Sequence, residues 1–343
     1  MILKSFKADI KEVKNIQNLS NGFKLNNDLL IVEKNIKFNH KYNLFDLKSE
    51  KKILDLPLHN SYITSFHIVK RPLYINNKQI SFSNDSFYFL TSSLDKKFAL
   101  HQISYNNSTK EYSNYKLISQ CQPTKDEVNR VIQIENGQIL VTTRDQHLIL
   151  FNNKITKGKF EKLFEIKKKW PMRAISLFEI RNNLIGVFWN FNDEEKDEII
   201  KDINIMKKYH SNDGIYIYSI QNNKIIHKKT LFGSYFSVYS YAIFDNKLIL
   251  TKDQILDVFN LNNFELMFQL KENSYLDIYP FNEKYFTVFY KEGTKAIIKL
   301  YNIKSMRNEQ TFEFQKKNNG NYLFPISNNE YMFDGSIITI ARV

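Results

Sequence analysis

The chain has 343 residues, 43% hydrophobic and 15% aromatic, with 28 Phe and 20 Tyr but few Ala; aromatic and β-branched side chains suit a pleated, half-buried surface, so strands are expected over helices. A net charge of +13 would suit a polyanion partner, but only seven of the 49 basic residues are Arg, the residue whose fork matches phosphates and base edges, and Lys, Asn and Ile are over-used together as in an A/T-rich coding sequence. Cys121 is the sole cysteine, which excludes a disulfide framework and a cysteine metal site and suits a reducing compartment.

The N-terminal stretch MILKSFKADIKEVKN breaks its apolar residues with Lys4, Lys7 and Asp9, so it has no signal-peptide core. No apolar run in the chain approaches the ~18 residues that span a bilayer. A soluble intracellular protein, cytoplasmic or nuclear and not secreted, is expected. Within this stretch Ile2 to Ile10 alternates Ile2, Lys4, Phe6 and Ala8 as a strand would.

A phrase then recurs: an apolar run, a turn with an acidic residue, and a second apolar run ending in an aromatic followed by Asp or Asn. Leu29 to Asp46 is the first copy and Phe87 to Ile103 the second, which Lys70 to Asp85 lengthens as an extra hairpin at the rim. Gln138 to Asn152 (QILVTTRDQHLILFN) and Lys247 to Asn260 (KLILTKDQILDVFN) are the clearest copies. Between them, Leu184 to Ile220 is split by a charged insert, 192–213, in which Ile199, Ile200, Ile203 and Met206 recur at helical spacing. That insertion helix reads either as a docking element or as a lid that packs its stripe back on its own unit. Tyr285 to Asn302 and Tyr331 to Val343 complete the series.

Seven copies in 343 residues average about one per 49, close to the ~40–45 residue period of a four-stranded propeller blade with insertions. Each copy supplies two middle strands and its flanks supply the others. The seventh copy lacks an outer strand and Ile2 to Ile10 lacks a sheet, so pairing the two would close the ring and remove both edges. The expected fold is therefore all-β: a seven-bladed β-propeller, with the N-terminal strand paired onto the last blade. Its blades run roughly 15–58, 59–121, 125–169, 171–233, 236–271, 274–316 and 320–343 plus 2–10.

The copies resemble degenerate WD repeats. Phe45-Asp46, Phe151-Asn152, Phe259-Asn260 and Tyr301-Asn302 stand where that family has Trp-Asp, Asp95, Asp145 and Asp253 where it has its turn Asp, and Leu58-His59 where it has Gly-His. The resemblance implies that His59 bonds a turn Asp and holds loop to sheet. It also implies that Arg144 and the loop Lys167, Lys168, Lys169, Trp170, Pro171, Met172 and Arg173 share one face of the disc. Trp and Arg are frequent binding hot spots, and Lys steers acidic or phosphorylated segments. Tyr235 and Phe236 are further candidate partner contacts.

Chemistry-bearing motifs are missing. The seven His show no metal-ligand spacing, there is no Gly-rich phosphate loop and no Gly-x-Ser-x-Gly, and Cys121 has no base beside it in the sequence. No enzyme activity, cofactor or metal is expected. The reading is a non-catalytic protein–protein interaction scaffold, monomeric within a hetero-complex. Its alternatives are an RNA- or ribonucleoprotein-associated propeller using its Lys-rich surface, Trp170 and Tyr235, and an enzyme or small-molecule binder working in a central channel.

Overall fold

The computed structural model describes residues 8–13, 21–26, 29–36, 39–46, 49, 51–83, 85–106, 108, 111–168, 172–191, 213–233, 241–244, 246–252, 255–271, 277–292, 295–315, 324–327, 330–333 and 336–342. Among them there are thirty strands and no helix. After β1 (Ala8–Val13), strands β2 (Asn21–Lys24), β3 (Leu29–Ile36), β4 (Asn39–Asp46) and β5 (Lys51–Leu56) form a first sheet in chain order. The second sheet takes β6 (Ile63–Ile68), skips the short hairpin β7 (Tyr74–Ile75) and β8 (Lys78–Gln79), and continues with β9 (Ser86–Ser93), β10 (Phe98–Asn106) and β11 (Glu111–Cys121).

The third sheet is β12 (Val128–Gln133), β13 (Ile139–Thr143), β14 (His147–Thr156) and β15 (Lys159–Lys167), and the fourth is β16 (Met172–Arg181), β17 (Leu184–Phe191), β18 (Gly214–Gln221) and β19 (Lys224–Phe232). The fifth comprises β20 (Tyr241–Phe244), β21 (Lys247–Lys252), β22 (Ile255–Asn260) and β23 (Leu266–Lys271), and the sixth β24 (Asp277–Pro280), β25 (Tyr285–Glu292), β26 (Lys295–Asn302) and β27 (Asn308–Gln315). The seventh is β28 (Phe324–Ser327), β29 (Glu330–Phe333) and β30 (Ser336–Arg342), completed by β1. Each of the seven sequence copies is thus the central pair of its own sheet.

The N-terminal segment pairs where the sequence predicts, with a shifted span. The antiparallel register runs from Ala8↔Arg342 to Val13↔Ile337. Residues 1–7, part of the predicted Ile2–Ile10 strand, lie outside the described residues.

The chain divides into two compact units, one of residues 1–38, 45–51 and 235–343 and one of residues 39–44 and 52–234. In the second unit the third sheet is buried on both faces. Successive residues of a strand point to opposite faces, and Ile139 and Val141 pack in one apolar cluster with Leu90, Phe98 and Leu100 while Leu140, Leu148 and Leu150 pack in another with Ile185, Val187 and Trp189. An interior strand must therefore be apolar at consecutive positions, which is why β13 reads ILVTT and is buried throughout. The outer strand β15, with only one apolar face, alternates more loosely and is half-exposed. In the first unit the fifth and sixth sheets share a cluster that includes Ile249, Val258, Phe286 and Val288.

Asn-Asn pairs close several hairpins. Asn182-Asn183 and Asn222-Asn223 both hold positive φ, 47° and 59°, then 50° and 60°. They join Arg181↔Leu184 and Gln221↔Lys224 as two-residue loops, the type I′ geometry that matches strand twist and that Asn tolerates. Asn76-Asn77 does the same between β7 and β8.

The predicted rim hairpin, 70–85, does not extend its own sheet. β7 pairs in parallel with the end of β14, Lys154↔Tyr74 and Ile155↔Ile75, so the excursion clasps the next sheet. Asn76 donates its N–H to Ile155 O, and the Gln133 side chain accepts from the Lys70 and Arg71 N–H groups while donating to Arg71 O. Leu73 and Ile80 are buried beneath it. Gly137, at φ +85°, passes so close that an added Cβ would stand 2.3 Å from Pro72 O.

Candidate functional site

Strand register collects several predicted residues at one end of the third sheet. Val128↔Thr143 and His147↔Lys167 place the start of β12, the β13–β14 turn and the end of β15 side by side. Arg144 lies in that turn, and the Lys168 N–H donates to Gln146 O at 3.0 Å, tying the strand exit to it. Arg144 and Lys168 are both engaged within the chain. Arg144 Nη1 donates to Glu127 Oε2 at 3.1 Å. Lys168 Nζ stands 3.7 Å from the centroid of the Tyr216 ring and 6.0 Å from that of Trp189. Burial lowers the Lys168 ammonium to about 8.

Lys167 is exposed at the same strand end, and Arg173, half-buried, stands near the start of β16 opposite Asn190. Lys169, Trp170, Tyr235 and Phe236 lie outside the described residues, as do Ile199, Ile200, Ile203 and Met206 of the insertion and the turn residue Asp253. Among the described residues the tryptophan at this end is Trp189, which sequence reasoning passed over. Its signal was the aromatic-rich run LIGVFWN, in which Trp189 ends the stretch from Ile185 to Trp189 that is buried without a break.

The charges around the turn balance one another. Asp145 Oδ1 accepts from the Thr143 and Thr124 hydroxyls at 2.5 and 3.0 Å. His147 Nδ1 meets Glu165 Oε1 while Lys162 Nζ donates to Glu165 Oε2 at 2.8 Å. Burial works against the Glu165 charge, yet the Lys162 and His147 hydrogen bonds outweigh it and hold the carboxyl below its ordinary range. His227, with its ring centroid 5.7 Å from that of Tyr216, is lowered by burial and then by the Lys168 charge.

A second constellation lies inside the second sheet. His59, in the loop before β6, places Nδ1 2.9 Å from Asp95 Oδ2 and Nε2 2.7 Å from Thr91 Oγ1. Thr91 Oγ1 is also 2.7 Å from His101 Nε2, and His101 Nδ1 is 3.0 Å from the Tyr115 hydroxyl. Thr91 and His101 are fully buried. Burial, followed by the His59 charge, lowers the His101 imidazole to about 3, and burial pushes the Tyr115 phenol up to about 12. For Asp95 burial opposes ionisation, but the His59 hydrogen bond and charge prevail and lower the carboxyl.

Sequence reasoning named His59 and Asp95 and missed Thr91, His101 and Tyr115. Counting from each turn Asp, Thr91 and His101 occupy the slots of Val141 and Phe151 in the third copy and of Ile249 and Phe259 in the fifth. The signal was a Thr and a His where sister copies carry an aliphatic and an aromatic.

The Thr91 hydroxyl, beside the Asp95-bonded His59 imidazole, is sealed from solvent. Burial raises the Cys121 thiol, which disfavours the thiolate. Among the described residues no group of three His, Cys, Asp or Glu could hold a metal ion, and no helix is long and apolar enough to cross a membrane. No protein-family model and no curated protein matches the chain.

Proposed function

We propose that the seven sheets are the blades of a β-propeller of the WD-repeat kind, its ring closed through β1, and that it is a non-catalytic scaffold for protein partners. The carrying observation is the strand end where Lys167, the Arg144 turn and Lys168 meet. There the chain has already neutralised Arg144 with Glu127 and turned Lys168 onto Tyr216. The contact surface is thus prearranged: an exposed Lys167 beside a stiff aromatic and ion-pair frame, suited to an acidic or phosphorylated protein segment. Prearrangement lowers the ordering cost of binding.

The test is affinity purification of the tagged protein from its own cells, beside the Lys167→Glu/Arg173→Glu variant. The expected result is a stoichiometric protein partner retained by the wild type and lost from the variant. Absence of any stoichiometric partner, or nucleic acid that leaves steeply with salt in its place, would overturn the reading.

A further inference from the structure

The buried chain in the second sheet has one property that its individual contacts do not show. The Thr91 hydroxyl carries a single proton but stands at hydrogen-bond distance from two imidazole nitrogens, so it donates to one and accepts from the other. That choice fixes every other proton in the chain. In the first order, Tyr115 donates to His101 Nδ1, His101 Nε2–H donates to Thr91, Thr91 donates to His59 Nε2, and His59 Nδ1–H donates to Asp95. Both imidazoles are neutral and Pro57 O receives nothing from Tyr115.

In the second order, His59 carries a proton on each nitrogen and donates to both Asp95 and Thr91. Thr91 donates to His101 Nε2, His101 Nδ1–H donates to Tyr115, and Tyr115 donates to Pro57 O, which lies 3.3 Å from its hydroxyl. The two orders hold four and five protons, and all five side chains are satisfied in both.

We propose that Asp95, His59, Thr91, His101 and Tyr115 form a proton-operated latch, in which uptake of one proton reverses the chain, switches the His101 tautomer and swings the Tyr115 hydroxyl onto Pro57 O. The His59 side chain is 0% exposed, so solvent does not reach its Nε2 directly. Tyr115, half-exposed on the outer strand β11, is the entry. A proton arriving there moves one from Tyr115 to His101 Nδ1, one from His101 Nε2 to Thr91, and one from Thr91 to His59 Nε2. The new proton remains on Tyr115, and the atoms balance at each transfer. The result ties β11 to Pro57, in the segment that joins β5 to β6.

The neighbouring charges leave the chain to itself. Among the described residues, the charge that shifts both Asp95 and His101 is that of His59. His67 on β6 is lowered to about 4 by burial and then by Lys70, so it stays neutral. Among the described residues Lys70, Lys96, Lys97 and Lys116, on the adjoining strands and turn, form no ion pair with any member of the chain.

Long-range proton–nitrogen correlation on the 15N-labelled full chain, from about pH 8 to about pH 5.5, reads the tautomer and charge of each imidazole. The expected result is that His101 passes from Nε2–H to Nδ1–H with the same midpoint at which His59 gains its second proton. In Tyr115→Phe, where the terminal hydroxyl is missing, the conversion is lost. A wild-type His101 that keeps one tautomer while His59 titrates, or a Tyr115→Phe variant that still converts, would overturn the proposal.

Discussion

Thr91→Val removes the hydroxyl that joins the two imidazoles of the second sheet. Two short contacts vanish, each 2.7 Å long and sealed from solvent. The facing His59 and His101 nitrogens are then left without partners, at about 1–3 kcal/mol for each orphaned group. The added methyl returns about 0.8 kcal/mol, so a net loss of about 1–5 kcal/mol is expected. The control is Thr91→Val/His101→Phe, which copies the Val141 and Phe151 slots of the third sheet and deletes the second needy nitrogen together with the first. Replacing both partners of a buried hydrogen bond by apolar groups is much less harmful than replacing one.

The double variant should therefore be more stable than Thr91→Val alone by about 1 kcal/mol or more. Urea titration followed by tryptophan fluorescence reads this, since the buried Trp189 belongs to the 52–234 unit. If His101→Phe lowers the midpoint further on the Thr91→Val background, with equal denaturant slopes, the polar chain is not the coupled unit described.

Other expectations are separate from that network. Gly137→Ala must place a Cβ against Pro72 O at φ +85°, so it should cost about 1–3 kcal/mol in thermal unfolding, and a neutral result would disprove the clasp between the β7–β8 hairpin and the third sheet. Asn183→Ala should destabilise by about 1 kcal/mol and Asn183→Gly by much less, because the position holds φ 59° in a type I′ turn; equal midpoints for the two variants would contradict that turn. Lys168 is lowered from 10.5 to about 8, so between those values the unfolded state binds more protons and wild-type stability rises with pH. Allowing for solvent screening and the offsetting attraction of the Tyr216 face, that rise should be about 1 kcal/mol and absent from Lys168→Met; parallel pH profiles of the two proteins would refute it.

The repeated phrase was legible because interior strands obey a strict physical demand. Buried on both faces, β13 and β14 need consecutive apolar residues, and their turns need an acidic acceptor such as Asp145. The shared position of Arg144, Lys167 and Lys168 was implied by the resemblance to WD repeats rather than by that periodicity. What Arg144 and Lys168 do there was not implied, because Glu127 and Tyr216 are distant along the chain and periodicity carries no information about side-chain partners. The 70–85 hairpin was visible as a strand pair, but its docking partner depended on the stretch of β14 beyond Phe151, where pairing with β13 ends and Lys154 and Ile155 pair with β7. The Asn-Asn turns were open to sequence reading and lay hidden in the general abundance of Asn.

Pairing of β1 with β30 sets an order of events in folding. The two segments lie more than 300 positions apart, so the contact forms only after the intervening residues have emerged, and its closure entropy grows slowly but to a large total. Until then β30 offers a bare edge of unpaired amide and carbonyl groups to whatever strand arrives first. Once β30 is made, an edge still open can accept the same segment of a second copy, so exchange of β1 between chains is the misassembly to expect. A peptide spanning Ala8 to Val13, supplied in excess, would compete for the edge and act as a donor strand.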